Sequence, residues 1–146
     1  QVAAAGAPVR VLEGQSRLAL AAADAVLVAS GTATLETMLS KRPMVVAYRV
    51  APLTAFVARD LGLVKVRHCS HPNLLAGEAV FPEFVQEAAT GKKLADAALE
   101  LLRHPERRLA IQGKLDRIIA ALGTSGANVR AAKAVWSLLE PGRGAR

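Results

Sequence analysis

The chain has 146 residues, of which 52% are hydrophobic, 3% are aromatic and only one is a cysteine. A chain of this length and hydrophobicity can bury the core of one domain, which excludes an intrinsically disordered segment, and a single cysteine excludes an internal disulfide. The formal net charge of +7 and the sequence pI of about 10.3 predict attraction to an anionic partner, which can be a nucleic acid, an acidic membrane surface or a phosphorylated ligand.

The apolar segments are short, and none approaches the ~18–20 residues that a membrane-spanning helix needs. Cys69 has no neighbours at the Cys/His spacing of a metal site, so we expect neither a metal nor another cofactor. The first residue is Gln rather than Met, which is typical of a piece of a longer protein or of a trimmed chain.

Strand and helix patterns alternate along the first part of the chain and then give way to helices. In chain order the patterns predict a strand at 9–12, a helix from about 16 to 24, a strand at 25–29, a helix at 32–40, a strand at 44–50, a helix at 52–62, a short strand at 63–66, a long shaped loop at 67–83, and helices at 90–104, 105–122 and 125–140. This alternation predicts an α/β fold, a Rossmann-like doubly wound parallel sheet followed by C-terminal helices. We expect residues 1–89 to form the ligand-binding core, residues 90–140 to be helices of the same domain, and residues 141–146 to be a frayed tail.

The string ASGTATLE follows the second predicted strand and enters a predicted helix. Its hydroxyls at Ser30, Thr32 and Thr34, together with Gly31, suit a phosphate at the start of that helix, where unpaired N–H groups carry partial positive charge. Glu36 lies four residues after Thr32, on the same helix face. Its carboxylate can accept two hydrogen bonds at once, as the vicinal diol of a ribose requires. The pattern therefore predicts a nucleotide with its phosphates at the helix start and its ribose at Glu36.

A simpler interpretation of the same string remains open. Ser30 or Thr32 can serve only as the helix cap, which stabilises a helix by ~1 kcal/mol, and Glu36 can be a solvated helix residue. A capping box does not explain Glu36, because the residue three positions before it, Ala33, has no capping side chain.

Two strings in order, ASGTATLE and PNLLAGE, with YR and PLT between them, resemble lipid-A-disaccharide synthases from about Val11 to about Val135. The resemblance implies a GT-B glycosyltransferase, and it covers only the C-terminal, nucleotide-sugar-binding half of that fold. The GT-B pattern also places a glutamate on the donor ribose at the position of Glu36, in agreement with the argument from the residues.

The implied reaction is an inverting transfer of 2,3-diacylglucosamine from UDP to the 6-hydroxyl of 2,3-diacylglucosamine 1-phosphate (lipid X). The products are the β1→6 disaccharide 1-phosphate of lipid A synthesis and UDP. The family's catalytic base belongs to the N-terminal acceptor domain, which this chain lacks, so we assign no catalytic residue here and expect the chain alone to be inactive. The implied location is cytoplasmic, peripheral to the inner membrane of a Gram-negative bacterium.

The resemblance also implies which residues hold the UDP-sugar. Asn73 is expected to bind a sugar or phosphate oxygen, Leu74 and Leu75 to wall the pocket, and Gly77 to permit a close backbone approach; the alternative for Asn73 is a structural turn. The full donor-binding set is Ser30, Gly31, Thr32, Ala33, Thr34, Glu36, Asn73, Leu74, Leu75, Ala76 and Gly77.

Basic side chains offer further contacts. Arg49 ends a predicted strand and can contact a phosphate or the membrane, or can simply lie at the surface. Several cations could each contribute ~1 kcal/mol near anionic lipid; they are Arg42, Arg49, Arg59, Lys65 and Arg67. We do not expect His68 or His71 to be a catalytic base, since the family more often has Leu at position 71.

Two other functions remain open. The chain can be a non-catalytic UDP-binding subunit that needs a separately encoded acceptor domain. The charge alone would also fit a nucleic-acid-binding module, but the cations are scattered and aromatic residues for base stacking are nearly absent, so we expect no nucleic acid. The three C-terminal helices can pack on their own sheet, on the absent domain or on another copy in a homo-oligomer.

Overall fold

The structure, a computed structural model, describes residues 6, 8–51, 67–123 and 126–139. The helices are α1 (Ser16–Ala22), α2 (Thr32–Leu39), α3 (His71–Ala76), α4 (Gly91–Arg103), α5 (Pro105–Ala121) and α6 (Ala127–Leu139). The strands are β1 (Val26–Ala29), β2 (Met44–Tyr48) and β3 (Glu83–Val85), and a short 3-10 helix spans Gln86–Ala88. The helix predicted at 52–62, the strand predicted at 63–66 and the predicted tail lie outside the described residues.

The three strands form one parallel sheet in the order β1-β2-β3. Ala29 pairs with Ala47, and Tyr48 pairs with Val85, so all three strands end at the same edge. This arrangement confirms the predicted α/β class with a parallel sheet. In such sheets ligands bind outside the carboxyl ends of the strands, and the segments that follow β1 and β2 both start there.

The core lies between the sheet and the helices that pack on it. Helix α2 contacts β1 and α3, while α4 contacts β1, β2 and α5. The central strand β2 has an almost continuous apolar sequence because its residues 44–46 are buried on both faces. The buried hydrophobic residues are Met38, Met44, Val45, Val46, Val80, Phe81, Leu101, Ile111 and Leu115.

The strand predicted at 9–12 is wrong. Residues 8–12 have no regular secondary structure, and Val9 and Val11 are exposed. Their alternating pattern suits a strand, but a strand needs a neighbour for its backbone hydrogen bonds. Among the described residues β1 is the end of the sheet, and residues 8–12 do not pair with it.

The long loop predicted at 67–83 is also wrong in part, because α3 lies inside it and β3 begins at its end. Pro72 and Gly77, residue types that favour a loop, instead mark the limits of a helix. Pro72 stands in the first turn, where a missing N–H costs nothing, and Gly77 ends the helix in the left-handed conformation with φ of 67°.

The three predicted C-terminal helices are confirmed as α4, α5 and α6. Helices α4 and α5 each bury residues in the core, whereas α6 buries none and leaves Val135, Trp136 and Leu138 exposed. Within the described ranges, no helix is both long enough and apolar enough to cross a lipid bilayer.

Candidate functional site

The turn from β1 into α2 is the centre of the candidate site. Ser30 follows β1 directly, and its N–H donates to the carbonyl of Ala47 across the sheet at 2.8 Å. Gly31 then takes a φ of 145°, a conformation that side chains with a Cβ rarely adopt, and Thr32 begins α2. The glycine is therefore needed for the sharp change of direction that points the start of α2 at the carboxyl edge of the sheet.

Two of the three hydroxyls of this turn donate to backbone carbonyls. Ser30 Oγ donates to the carbonyl of Cys69 at 2.5 Å, and Thr34 Oγ1 donates to the carbonyl of Gly31 at 2.7 Å. A hydroxyl has one proton, so neither can also donate to a ligand without breaking its present bond. The exposed Thr32 is different, because its side chain lies at the open start of α2.

The main chain at the start of α2 supplies further donors. The first N–H groups of an α-helix have no partner within the helix, and no side chain caps α2. Thr32 and Ala33 are both exposed, so their N–H groups lie at the surface beside the Thr32 hydroxyl. An anion at this point would meet oriented N–H dipoles rather than a charged side chain.

Glu36 lies one turn further along α2. It is exposed, as is Thr32 four residues before it, so the two side chains share an open helix face. The buried side chains of α2 belong to Thr34, Thr37 and Met38. The helix face that the sequence predicted to bind a nucleotide is therefore the face whose side chains are exposed. The binding of a ribose by Glu36 stays a prediction.

Helix α3 forms the neighbouring wall. It contacts α2, and His71 Nδ1 lies 3.4 Å from Thr34 Oγ1. Leu74 and Leu75 are 46% and 48% exposed, so both are available to line a pocket beside α2. The fold thus brings together the two helices that carry these strings, which lie about 40 residues apart in the chain.

Asn73 is fully buried, and its amide group is used within the chain. Its Nδ2 donates to the carbonyl of Phe81 at 2.9 Å and to Glu83 Oε1 at 2.8 Å. Its Oδ1 accepts from the N–H groups of Val80 at 2.9 Å and Phe81 at 3.0 Å. These bonds favour the structural alternative for Asn73, with partners seven, eight and ten residues ahead rather than in its own turn.

Gly77 likewise has a structural part, because it ends α3 in the left-handed region. A Cβ built on Gly77 would meet no atom within 4 Å, so the requirement for glycine here comes from the backbone conformation. Ala76 is half-buried against the core. The close approach of a ligand to Gly77 stays a prediction.

Glu83 is the residue that the sequence did not single out. It begins β3, and its side chain is only 11% exposed. Oε2 accepts from the N–H of Cys69 at 2.8 Å, and Oε1 accepts from the N–H of Ser70 at 2.9 Å and from Ser70 Oγ at 2.5 Å. Burial alone would raise the pKa of Glu83, but the hydrogen bonds from Ser70 and Cys69 outweigh burial and hold that pKa below its ordinary value.

The other titratable groups near this cluster are Cys69 and two histidines. Burial, followed by the charge of Glu83, raises the pKa of Cys69 to about 11, so its thiol stays protonated at neutral pH. His68 Nδ1 lies 3.9 Å from Glu83 Oε2, whereas His71 is exposed. Among the described residues, no group of three or more His, Cys, Asp or Glu side chains could hold a metal ion.

The basic residues of the sequence prediction separate into different environments. Arg49 is exposed and follows β2 at the carboxyl edge of the sheet, and Arg67 is exposed as well. Arg42 instead donates through Nη2 to the carbonyl of Ala21 at 2.5 Å, which ties it to the end of α1. Arg59 and Lys65 lie outside the described residues.

Fold and site together define a Rossmann-like α/β protein with an anion-suited helix start at the carboxyl edge of its sheet. A family model described as lipid-A-disaccharide synthetase matches residues 4–136. The chain belongs to this lipid-A-disaccharide synthase family.

Curated relatives give the same result. The lipid-A-disaccharide synthase of Xanthomonas campestris pv. campestris (strain 8004) is 49% identical over 129 residues, which cover 88% of this chain and 29% of the relative. That of Xylella fastidiosa (strain M23) is 46% identical over 130 residues, which cover 89% of this chain and 34% of the relative. The chain therefore spans about a third of the length of these relatives.

Proposed function

We propose that this chain is the donor-binding part of a glycosyltransferase of lipid A biosynthesis. Its donor is UDP-2,3-diacylglucosamine, and its acceptor is 2,3-diacylglucosamine 1-phosphate. The sugar is transferred to the acceptor's 6-hydroxyl with inversion, which gives the β1→6 disaccharide 1-phosphate and UDP. Family membership supports the reaction class, and the share of the relatives' length that is matched supports the assignment of only one part of the machinery to this chain.

The open face of α2 carries the proposal. Directly after β1, it presents the Thr32 and Ala33 N–H groups, the Thr32 hydroxyl and, one turn later, the Glu36 carboxylate. We assign the diphosphate to the helix start and the ribose hydroxyls to Glu36. A diphosphate next to Glu36 itself would be repelled, so the order of the groups along the helix fixes the direction of the nucleotide.

The same arrangement supports the chemistry of transfer. As the bond between the sugar and UDP breaks, negative charge grows on the diphosphate, and N–H dipoles already aimed at it stabilise that charge without reorganising. Neither the Ser30 nor the Thr34 hydroxyl is free to help while it donates to its backbone carbonyl. The base that removes the proton from the acceptor hydroxyl is assigned to the remainder of the protein.

We further assign the chain to the cytoplasmic face of the inner membrane, because both proposed sugar substrates carry acyl chains. Arg49 and Arg67 are exposed and could each contribute ~1 kcal/mol near anionic lipid. Arg42 is left out of this contact, since its guanidinium is held by the end of α1.

The test is a titration of UDP into the chain, followed by amide NMR, with Glu36→Gln and Glu106→Gln side by side. Glu106 is a matched control, an exposed carboxylate in the first turn of α5. We expect saturable shifts at residues 30–36 and weaker binding by about tenfold in Glu36→Gln, as for the loss of one charged hydrogen bond. Equal affinities in both variants, or no shifts at millimolar UDP, would contradict the proposal.

A second experiment separates a transferase from a non-catalytic UDP-binding subunit. The N-terminal part of a relative is added to the chain together with both lipid substrates, and release of UDP is measured. Turnover that Glu36→Gln lowers and Glu106→Gln does not is the expected result. Binding of UDP without turnover in the reconstituted protein would favour the subunit.

A further inference from the structure

We infer that Glu83 is a positioning residue of the proposed donor site. Its carboxylate holds the segment 68–73 against the Ser30–Gly31 turn. It thereby sets the distance between the start of α2 and α3, which forms the neighbouring wall of the site. The inference rests on the proposed function. It concerns a residue that contacts no part of the donor in the proposed arrangement.

The geometry around Glu83 requires an anion. Both carboxylate oxygens accept hydrogen bonds, and the donors are the N–H groups of Cys69 and Ser70, the Ser70 hydroxyl and the Asn73 amide. A protonated carboxyl would direct its own O–H at groups that are themselves donors. The ionised side chain accepts from all four donors at once, and most of it is shielded from water, with 11% of the side chain exposed.

A single residue, Cys69, links this carboxylate to the candidate site. The Cys69 N–H donates to Glu83, and the carbonyl of the same residue accepts the Ser30 hydroxyl at 2.5 Å. Ser30 is bonded to Gly31, whose backbone turn starts α2. Displacement of Cys69 would therefore remove the partner of Ser30 Oγ and change the position of the wall relative to the Thr32 N–H group.

Because α3 has a second attachment to the core, loss of the Glu83 carboxylate should have only a local effect. Asn73 is held not only by Glu83 but also by the backbone of Val80 and Phe81. Without the carboxylate, α3 keeps these bonds while the segment just before it loses two N–H partners and a hydroxyl partner. Loss of Glu83 should thus loosen the wall of the site without detaching α3 from the core.

Among the described residues, His68 and Cys69 are the titratable side chains beside the carboxylate. His68 Nδ1 lies 3.9 Å away, and the Cys69 thiol is adjacent and stays protonated at neutral pH. The thiol therefore brings no charge to Glu83 near neutrality, and a titration of the site at acidic pH must separate Glu83 from His68. The side-chain carboxyl carbon of Glu83 reports the protonation of this carboxyl, so its resonance separates Glu83 from His68.

The test compares the chain with Glu83→Gln, Glu83→Asp and, as a control for lost stability alone, Ile111→Val in the core. Glutamine keeps the shape of Glu83 but aims an NH₂ group at donors, whereas aspartate keeps the charge. We expect UDP affinity to fall about tenfold in Glu83→Gln, to be partly restored in Glu83→Asp, and to be unchanged in Ile111→Val.

A ligand-free measurement makes the inference independent of the proposed function. In the chain without UDP, the amide resonances of Ser30, Gly31 and Thr32 should move with the same acidic midpoint as the side-chain carboxyl carbon of Glu83. If UDP does not bind but these amides follow Glu83, the proposed function is wrong and the positioning role stands. If the amide resonances of residues 30–32 do not change with the protonation of Glu83, the inference is overturned. This measurement uses the unaltered chain, so it does not depend on whether Glu83→Gln folds.

Discussion

Replacement of Asn73 by alanine is expected to remove the strongest single attachment of α3. The change deletes four hydrogen bonds and leaves two buried backbone groups without a partner, the N–H and the carbonyl of Phe81, whereas the N–H of Val80 keeps its bond to the carbonyl of Glu78 at 3.0 Å. Glu83 loses only one of its four donors, so its share of the cost is smaller.

The expected loss of unfolding free energy follows from the cost of leaving a buried polar group without a hydrogen-bond partner, which is about 1–3 kcal/mol per group. Two such groups, with partial relief by water entering the space left by the amide, predict a loss of about 2–4 kcal/mol. Domains of this size have a total unfolding free energy of about 5–15 kcal/mol, so Asn73→Ala should remain folded only marginally.

The assay is urea unfolding at neutral pH, followed by circular dichroism, with Asn128→Ala as the matched control on the exposed face of α6. With a slope of about 1.5 kcal/mol per molar urea, the midpoint should fall by about 2 M for Asn73→Ala and stay within error for Asn128→Ala. A loss of less than about 1 kcal/mol would refute the reasoning, because it would mean that the Asn73 bonds are easily replaced by water.

The remaining predictions concern Gly31, Cys69 and Glu83. Gly31→Ala should cost about 1–3 kcal/mol from backbone strain alone, measured by urea unfolding, because its φ is 145° and a Cβ there would meet no atom within 4 Å; an unchanged midpoint would show that the turn relaxes. A pKa raised from 9.0 to about 11 lowers the thiolate fraction of Cys69 about 100-fold, so iodoacetamide at neutral pH should label the folded chain about 100-fold more slowly than the urea-unfolded chain; equal rates would contradict the burial of this thiol. Because the pKa of Glu83 is lower in the folded state than its ordinary value of 4.5, its contribution to stability is present above pH 4.5 and is lost as the pH falls through the folded-state value. The difference in unfolding free energy between the chain and Glu83→Gln should therefore shrink as the pH falls below 4.5, and a constant difference would argue against an ionised Glu83.

Local patterns in the sequence predicted the elements whose formation depends on local physics. The apolar run of β2 and the helical spacing of α4 and α5 carry their own signals, and the structure confirms them. The strand predicted at 9–12 failed for the opposite reason, since a strand forms only with a partner, and no pattern within four residues reports whether one is present.

The proline and the glycine at the ends of α3 show how one signal has two meanings. Both residue types interrupt helices in their interior, yet Pro72 and Gly77 stand at the two ends where they stabilise a helix. Position relative to the ends decides the outcome, and a helix of six residues is too short for periodicity to reveal those ends.

The sequence predicted the exposed side chains of the candidate site, but not the buried hydrogen bonds that support them. Thr32 and Glu36 share a face because of helical geometry, which the sequence spacing contains. The bonds of Ser30 to Cys69 and of Asn73 and Ser70 to Glu83 join residues 10 to 39 positions apart, and nothing in the local sequence encodes them. Glu83 was therefore overlooked, although a carboxylate at the start of a strand must find hydrogen-bond donors if the fold buries it.

The turn at Gly31 has a consequence for how this family can change. In the proposed site, the groups that meet the diphosphate include the main-chain N–H groups at positions 32 and 33, and every amino acid except proline supplies the same donor there. Substitutions of Thr32 or Ala33 thus leave these two main-chain contacts in place, although a change of Thr32 also removes its hydroxyl. An inhibitor directed at the two N–H groups could not be evaded by exchange of side chains at those positions. Only a change of backbone path, through Gly31 itself or through proline in the first turn of α2, would abolish the contact, and such a change would also disturb the fold on which the site depends.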